Sequence, residues 1–167
     1  MSFDYSGKLK PEEIKSRAEE LARKLEYEYS DINNLCEALY CKKILETEDK
    51  YTNSAIALLG DNVLKLTLSH MFYKQKQDKQ YINDQKKKYE NNDQLKEVCD
   101  KLNIYRYAFN NENFYSDDLP DHKKLPHSGH DIYVEAVVGA IYLDKGFNYV
   151  NKWIKARLIP LIEECLI

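Results

Sequence analysis

At 167 residues the chain suits a single domain, long enough to bury a sizeable core. Its 43% hydrophobic and 32% charged residues argue for a soluble globular protein, and five glycines with four prolines favour long helices with few tight turns. A net charge of −3 excludes holding nucleic acid by bulk charge alone and leaves local basic clusters as the route to such a partner.

In chain order, Met1 to Lys10 lack an apolar run, so they read as a loose lead-in and not as a secretion signal. One domain is expected over residues 11–167. Pro11 suits a first helical turn, Glu12 and Glu13 complement the helix dipole, and Ile14, Ala18, Leu21, Ala22 and Leu25 recur at helical spacing. Ser30 or Asp31 caps a second helix that uses Ile32, Leu35, Cys36, Leu39 and Ile44. After a polar break, Glu46 to Thr52, comes a long apolar helix from Asn53 to Tyr73, its inner face carrying Ile56, Leu59, Val63, Leu64, Leu66 and Met71.

Lys74 to Lys88 is rich in lysine and glutamine and can continue as a helix. Asn91 or Asn92 caps a further helix through Leu95, Val98, Cys99 and Leu102. Asn103 to Pro126 holds two prolines and many turn formers, which predicts a surface excursion. A second apolar helix begins near Ser128 or Asp131 and runs to about Lys145, where Gly146 is a natural stop. Phe147 to Ile167 gives a last helix, with Val150 (or Tyr149), Trp153, Ile154 and Leu158 inward and a kink at Pro160. Nothing alternates like a strand, so the fold is all-α. No stretch reaches the ~18 apolar residues of a membrane span. Cys36, Cys41, Cys99 and Cys165 form neither a C-x-x-C pair nor a zinc spacing, so they read as thiols of a reducing compartment, and the chain as cytoplasmic.

The two apolar helices each carry one acid close to a glycine: Asp61 directly after Gly60, and Glu135 four residues before Gly139. A carboxylate in an apolar helix is costly to bury without a partner or a metal ion. A glycine there costs roughly 1 kcal/mol against alanine, so its use twice points to backbones in close contact. The two helices are therefore expected to cross and bring Asp61 and Glu135 together.

These segments, NSAIALLGDNVLKL and VEAVVGAIYLDKGF, resemble the endonuclease domain of the ribonuclease III family. That family's first motif runs N-E-R-x-E-x-L-G-D, matched by Asn53, Leu59, Gly60 and Asp61. Its second, A-D-x-x-E-A-x-x-G-A-x-[FY]-L-D, is matched by Glu135, Ala136, Gly139, Ala140, Tyr142, Leu143 and Asp144. EALYCKKI is similar to its Q-A-L-T-H segment, with the histidine falling at Cys41, and YENNDQLKEV to its V-N-N-E-T-L-A segment. The resemblance implies a ribonuclease III-like helical bundle and hydrolysis of phosphodiesters in double-stranded or structured RNA, dependent on Mg²⁺ (or Mn²⁺). It departs at two acids of that family's metal site, which fall at Ala57 and Ile132; Ser54 stands at the other glutamate of the first motif.

Asp61 and Glu135 are thus the implied catalytic and metal-binding pair. Magnesium keeps several waters, so two carboxylates suffice for one ion, whereas two ions call for more negative charge, from Asp131 or from a partner chain. The alternatives are an i,i+4 pair of Asp61 with Lys65, a structural hydrogen bond for Glu135, and a helix N-cap for Asp131. His122, His127 and His130 lack the spacing of a helix-face metal pair. His130 is placed to touch phosphate, and Lys86, Lys87 and Lys88 are the first candidates for RNA backbone contacts, against a solvated charge run as the alternative. The resemblance further implies a homodimer, its seam around Ala55, Ile56, Leu58 and Leu59, and RNA affinity supplied by a separate partner, since no double-stranded-RNA-binding domain follows in this sequence. Rival readings are a non-catalytic member of the fold that binds RNA or a ribonucleoprotein, and a helical dimer with no RNA role.

Overall fold

A computed structural model describes residues 5–44, 50–116, 118 and 132–166. Helix α1 (Pro11–Lys24) opens on Pro11 and turns Ile14, Ala18, Leu21 and Ala22 inward, as the spacing predicts. Helix α2 (Asn33–Leu39) buries Leu35, Cys36, Ala38 and Leu39. The N-cap is Ile32, which makes no side-chain cap, so neither Ser30 nor Asp31 holds that position; Asp31, one residue earlier, accepts from the Asn33 backbone N–H at 3.0 Å. Ile44 lies beyond the helix and is exposed, against expectation, because α2 stops at Leu39.

Helix α3 (Ser54–Gln75) is the long central element. Its buried face repeats at helical spacing through Ile56, Ala57, Gly60, Val63, Leu64, Thr67, Leu68 and Phe72. Leu66, expected inward, is 56% exposed, and Leu58 is 63% exposed. Ile56, read both for the inner face and for a dimer seam, is core. The helix has more apolar residues than one face can bury, and periodicity alone cannot say which surplus residue points out. The outward stripe is Leu58, Leu66 and Tyr73.

The lysine-rich segment is a separate helix, α4 (Lys79–Tyr89), because the Asp78 side chain accepts from the Tyr81 N–H at 2.7 Å and starts a new turn. Asn91 caps α5 (Asn92–Leu102) through the Asp93 N–H at 2.8 Å, and Leu95, Val98 and Cys99 pack inward. The surface excursion expected from Asn103 does not begin there. Ile104–Tyr107 is a 3₁₀ turn that buries Ile104 and Tyr105, and Ala108 and Phe109 are also core. Phe109 then pairs with the end of α2: its N–H donates to Leu39 O at 3.0 Å, and its carbonyl accepts from Cys41 N at 2.8 Å. The lead-in is also docked, from Tyr5 onward, whose ring meets Tyr40 and Phe109 edge-on at 5.5 and 5.6 Å.

Helix α6 (Ile132–Lys145) runs through the middle of the bundle; from Ile132 to Ile141 only Glu135 is not buried. Gly146, at φ 82°, ends it and leads into α7 (Phe147–Trp153). The kink expected at Pro160 appears as a π turn over Ile154–Leu158 ahead of α8 (Ile159–Cys165). Proline has no N–H to return to the preceding turn, and the wider turn absorbs that loss. Among the described residues there is no strand, and no helix is long and apolar enough to cross a membrane. Burial raises the Cys36 thiol to about 12 and the Cys41 thiol to about 11, which leaves both as inert core residues.

Two contacts position everything else. At the crossing of α3 and α6, a methyl group on Gly60 would overlap the Glu135 carbonyl and lie 2.7 Å from the Gly139 nitrogen, and one on Gly139 would overlap the Ile56 carbonyl. The helices touch backbone to backbone, as the paired glycines foretell. At the far end of α6, the Asp144 carboxylate accepts from the Tyr27 hydroxyl and from the backbone N–H groups of Ser30 and Asp31, each 2.8 Å away. Trp153 Nε1 donates to Leu25 O at 3.0 Å alongside. The segment between α1 and α2 is thereby tied to α6 and α7.

Gly60→Ala is expected to cost roughly 3 kcal/mol of folding stability, read as a lower urea midpoint, because backbone cannot yield as a side-chain tip can. A midpoint equal to that of the unmodified protein would refute the close crossing. Asp144→Ala, which strands one hydroxyl and two backbone donors, is expected to cost roughly 2 kcal/mol in the same measurement.

Candidate functional site

The glycine crossing decides where the two acids go. Asp61 follows Gly60 on α3, and the residue whose carbonyl lies against Gly60 is Glu135 on α6. Both side chains line one open cleft of about 500 Å³. Its apolar wall includes Ala57, Leu58 and Ile132, and Ser54, Lys65, Glu90 and Asn92 supply polar groups. Asp61 and Glu135, expected to come together, thus line the same cleft.

Asp61 is 20% exposed at its side chain and accepts from Lys65 Nζ at 2.7 Å. This is the i,i+4 pair weighed as the alternative for Asp61, and in isolation it contributes only a few tenths of a kcal/mol. It also fixes the state of Lys65. The hydrogen bond to Asp61 raises the ammonium's pKa above its ordinary value, desolvation opposes this, and the charges of Asp61, Glu90 and Glu135 add to the rise. Lys65 is a cation paired to Asp61 in a cleft that Glu90 and Glu135 also line.

Glu90 was not singled out by the sequence. It is the residue closing α4, and its Oε2 atom is buried with no hydrogen-bond partner. The available signal was its place in YENNDQLKEV, where the resemblance aligns an acid with an apolar valine. Ala57 and Ile132, which stand at two missing family acids, are both buried in the wall of this same cleft. The losses fall inside the site.

Asp131 and His130 lie outside the described residues, as do His122 and His127. Lys86, Lys87 and Lys88 form the last turn of α4, where positive charge also favours the helix dipole. Lys87 lines a shallow polar recess with Glu90, Asn91, Asn92 and Asp93, and that recess shares Glu90 and Asn92 with the cleft. A basic turn thus adjoins the acidic cleft.

Among the described residues no three histidine, cysteine or acidic side chains are grouped so as to hold a metal ion. On the cleft's α3 and α6 walls the carboxylates are Asp61 and Glu135, fewer oxygen donors than a caged pair of ions calls for.

A family model for the Ribonuclease III domain matches residues 54–146. Ribonuclease 3 of Campylobacter jejuni (strain RM1221) is 29% identical over 143 residues, covering 84% of this chain and 60% of that protein. Ribonuclease 3 of Zunongwangia profunda is 29% identical over 106 residues, covering 62% of this chain and 40% of that protein. The chain thus spans no more than 60% of the length of these curated relatives. Two solved structures of the nuclease domain of ribonuclease III from Campylobacter jejuni share the fold. One, which concerns structural flexibility in a region involved in dimer formation, has a TM-score of 0.67 at 24% identity and covers 87% of this chain and 96% of that one. The other has a TM-score of 0.62 at 23% identity, covering 87% and 93%.

Proposed function

The chain belongs to the ribonuclease III domain family, and from that premise we propose that it is an endoribonuclease that cleaves double-stranded or structured RNA in RNA processing. The observation that carries this reading is the convergence of Asp61 and Glu135 in one cleft at a rigid backbone crossing. Asp61 and Glu135 would hold a hydrated Mg²⁺ (or Mn²⁺) ion, which when bound supplies a Lewis acid for the phosphodiester and an acidified water. The carboxylates themselves accept hydrogen bonds from the attacking water and orient it. Because both are placed by the packing of α3 on α6, little reorganisation is needed when substrate arrives.

Lys86, Lys87 and Lys88, the basic last turn of α4, would contact the RNA backbone, whose recognition in duplex form rests on phosphate, shape and 2′-hydroxyl groups. Asp131 and His130 remain candidates, for the ion and for phosphate respectively. The protein acts as a homodimer through the outward stripe of α3, where Leu58, Leu66 and Tyr73 present an apolar face that a monomer would leave in water. Leu58 also lines the cleft, so the seam and the site adjoin. A separate RNA-binding partner adds affinity. Buried thiols that form no disulfide suit the cytoplasm.

A second reading, a non-catalytic member of the fold that binds RNA or a ribonucleoprotein, is favoured by one observation: Ala57 and Ile132 leave the cleft wall apolar where the family places acids.

Incubation of labelled duplex RNA with the protein and Mn²⁺ separates the two. Cleavage is expected, and Asp61→Asn with Glu135→Gln is expected to reduce its rate by about 100-fold or more at unchanged helical content. A double variant that cleaves normally would exclude the site, and salt-dependent binding without cleavage would leave the second reading. Leu66→Glu, outside the cleft, is expected to convert the dimer to monomer in light scattering; an unchanged mass would place the seam elsewhere.

A further inference from the structure

Helix α3 brings to the cleft a short alanine, a carboxylate and an ammonium, one turn apart: Ala57, Asp61 and Lys65. Where the resemblance expects two acids from this helix, it therefore contributes one acid and one base. The remaining negative charge comes from Glu135 on α6 and from Glu90 after α4. The buried, unpartnered Oε2 of Glu90 is a costly feature unless a positive charge is held nearby. Lys65 brings a positive charge into the same cleft, its ammonium paired to Asp61 at 2.7 Å.

We propose that Lys65 is the built-in cation of this cleft, a positioning residue that competes with a divalent ion for Asp61 and sets how weakly such an ion is held. The proposal rests on the metal-binding reading of Asp61 and Glu135 given above. Its physical basis is direct. An ion approaching Asp61 meets a carboxylate whose Oδ2 already accepts from an ammonium, so binding requires that hydrogen bond to be broken or the two cations to sit as close neighbours. Like charges within a few ångströms repel even in partly hydrated surroundings. Lys65 has room to give way, because its side chain is 44% exposed. It can leave Asp61 for solvent or for a bound phosphate without disturbing the buried face of α3. The cleft then rests in a partly neutralised state that an incoming ion and its polyanionic substrate open together.

The test is Mn²⁺ affinity, read by electron paramagnetic resonance of the free ion in the absence of RNA, so that no turnover is needed. Lys65→Gln is expected to bind Mn²⁺ about tenfold more tightly than the unmodified protein. Lys65→Arg, which keeps the charge, is expected to match the unmodified protein, and Asp61→Asn to lose the site. Equal or weaker binding by Lys65→Gln, with Asp61 still required, would overturn the role of Lys65 and leave the proposed function standing. Tighter binding by both Lys65 variants would also overturn it, because charge would not be the cause. If no form of the protein binds Mn²⁺ through Asp61, this proposal and the metal-binding reading beneath it fall together.

Discussion

Two helices in this protein touch without side chains between them. Gly60 lies against the carbonyl of Glu135, and Gly139 against that of Ile56. Side-chain contacts between helices tolerate exchanges of similar volume, but a backbone contact has no rotamer to adjust. The crossing therefore sets where α3 and α6 sit relative to each other, and with them Asp61 and Glu135. Glu135 has a double part, since its carbonyl forms the contact while its side chain lines the cleft. The spacing of charge in the cleft is thereby locked to the packing of the core, in a helix otherwise buried from Ile132 to Ile141.

On that fixed geometry the charge balance has been redrawn. Acids expected at Ala57 and Ile132 are replaced by apolar wall, Glu90 enters from a different helix end, and Lys65 pairs with Asp61 in the same cleft. The architecture of a ribonuclease III domain is intact while its electrostatics are weaker and partly self-neutralised.

Much of this was legible in the sequence. Helical spacing marked the inner face of α1, and paired glycines beside acids announced the crossing. What escaped did so for physical reasons. Ile104, Tyr105 and Phe109 were hidden by the prolines and turn formers that follow them, though the apolar run itself was on view. Leu66 was read inward and is exposed because α3 has apolar residues on more than one face, and period alone cannot rank them. Glu90 could not be placed, since α4 buries no residue and the direction of its last side chain depends on the turn into α5. The pairing of Lys65 with Asp61 was visible as a spacing, but its confrontation with Glu90 and Glu135 depends on the tertiary fold.

The tie made by Asp144 separates two pressures that a motif merges. It stands in the same matched segment as Glu135, yet it faces the opposite end of α6 and anchors Tyr27, Ser30 and Asp31. A descendant of this chain that had ceased all chemistry would still need that carboxylate to hold its shape. Likeness in this segment accordingly measures inheritance of a scaffold, and ancestry read from it carries no guarantee of turnover.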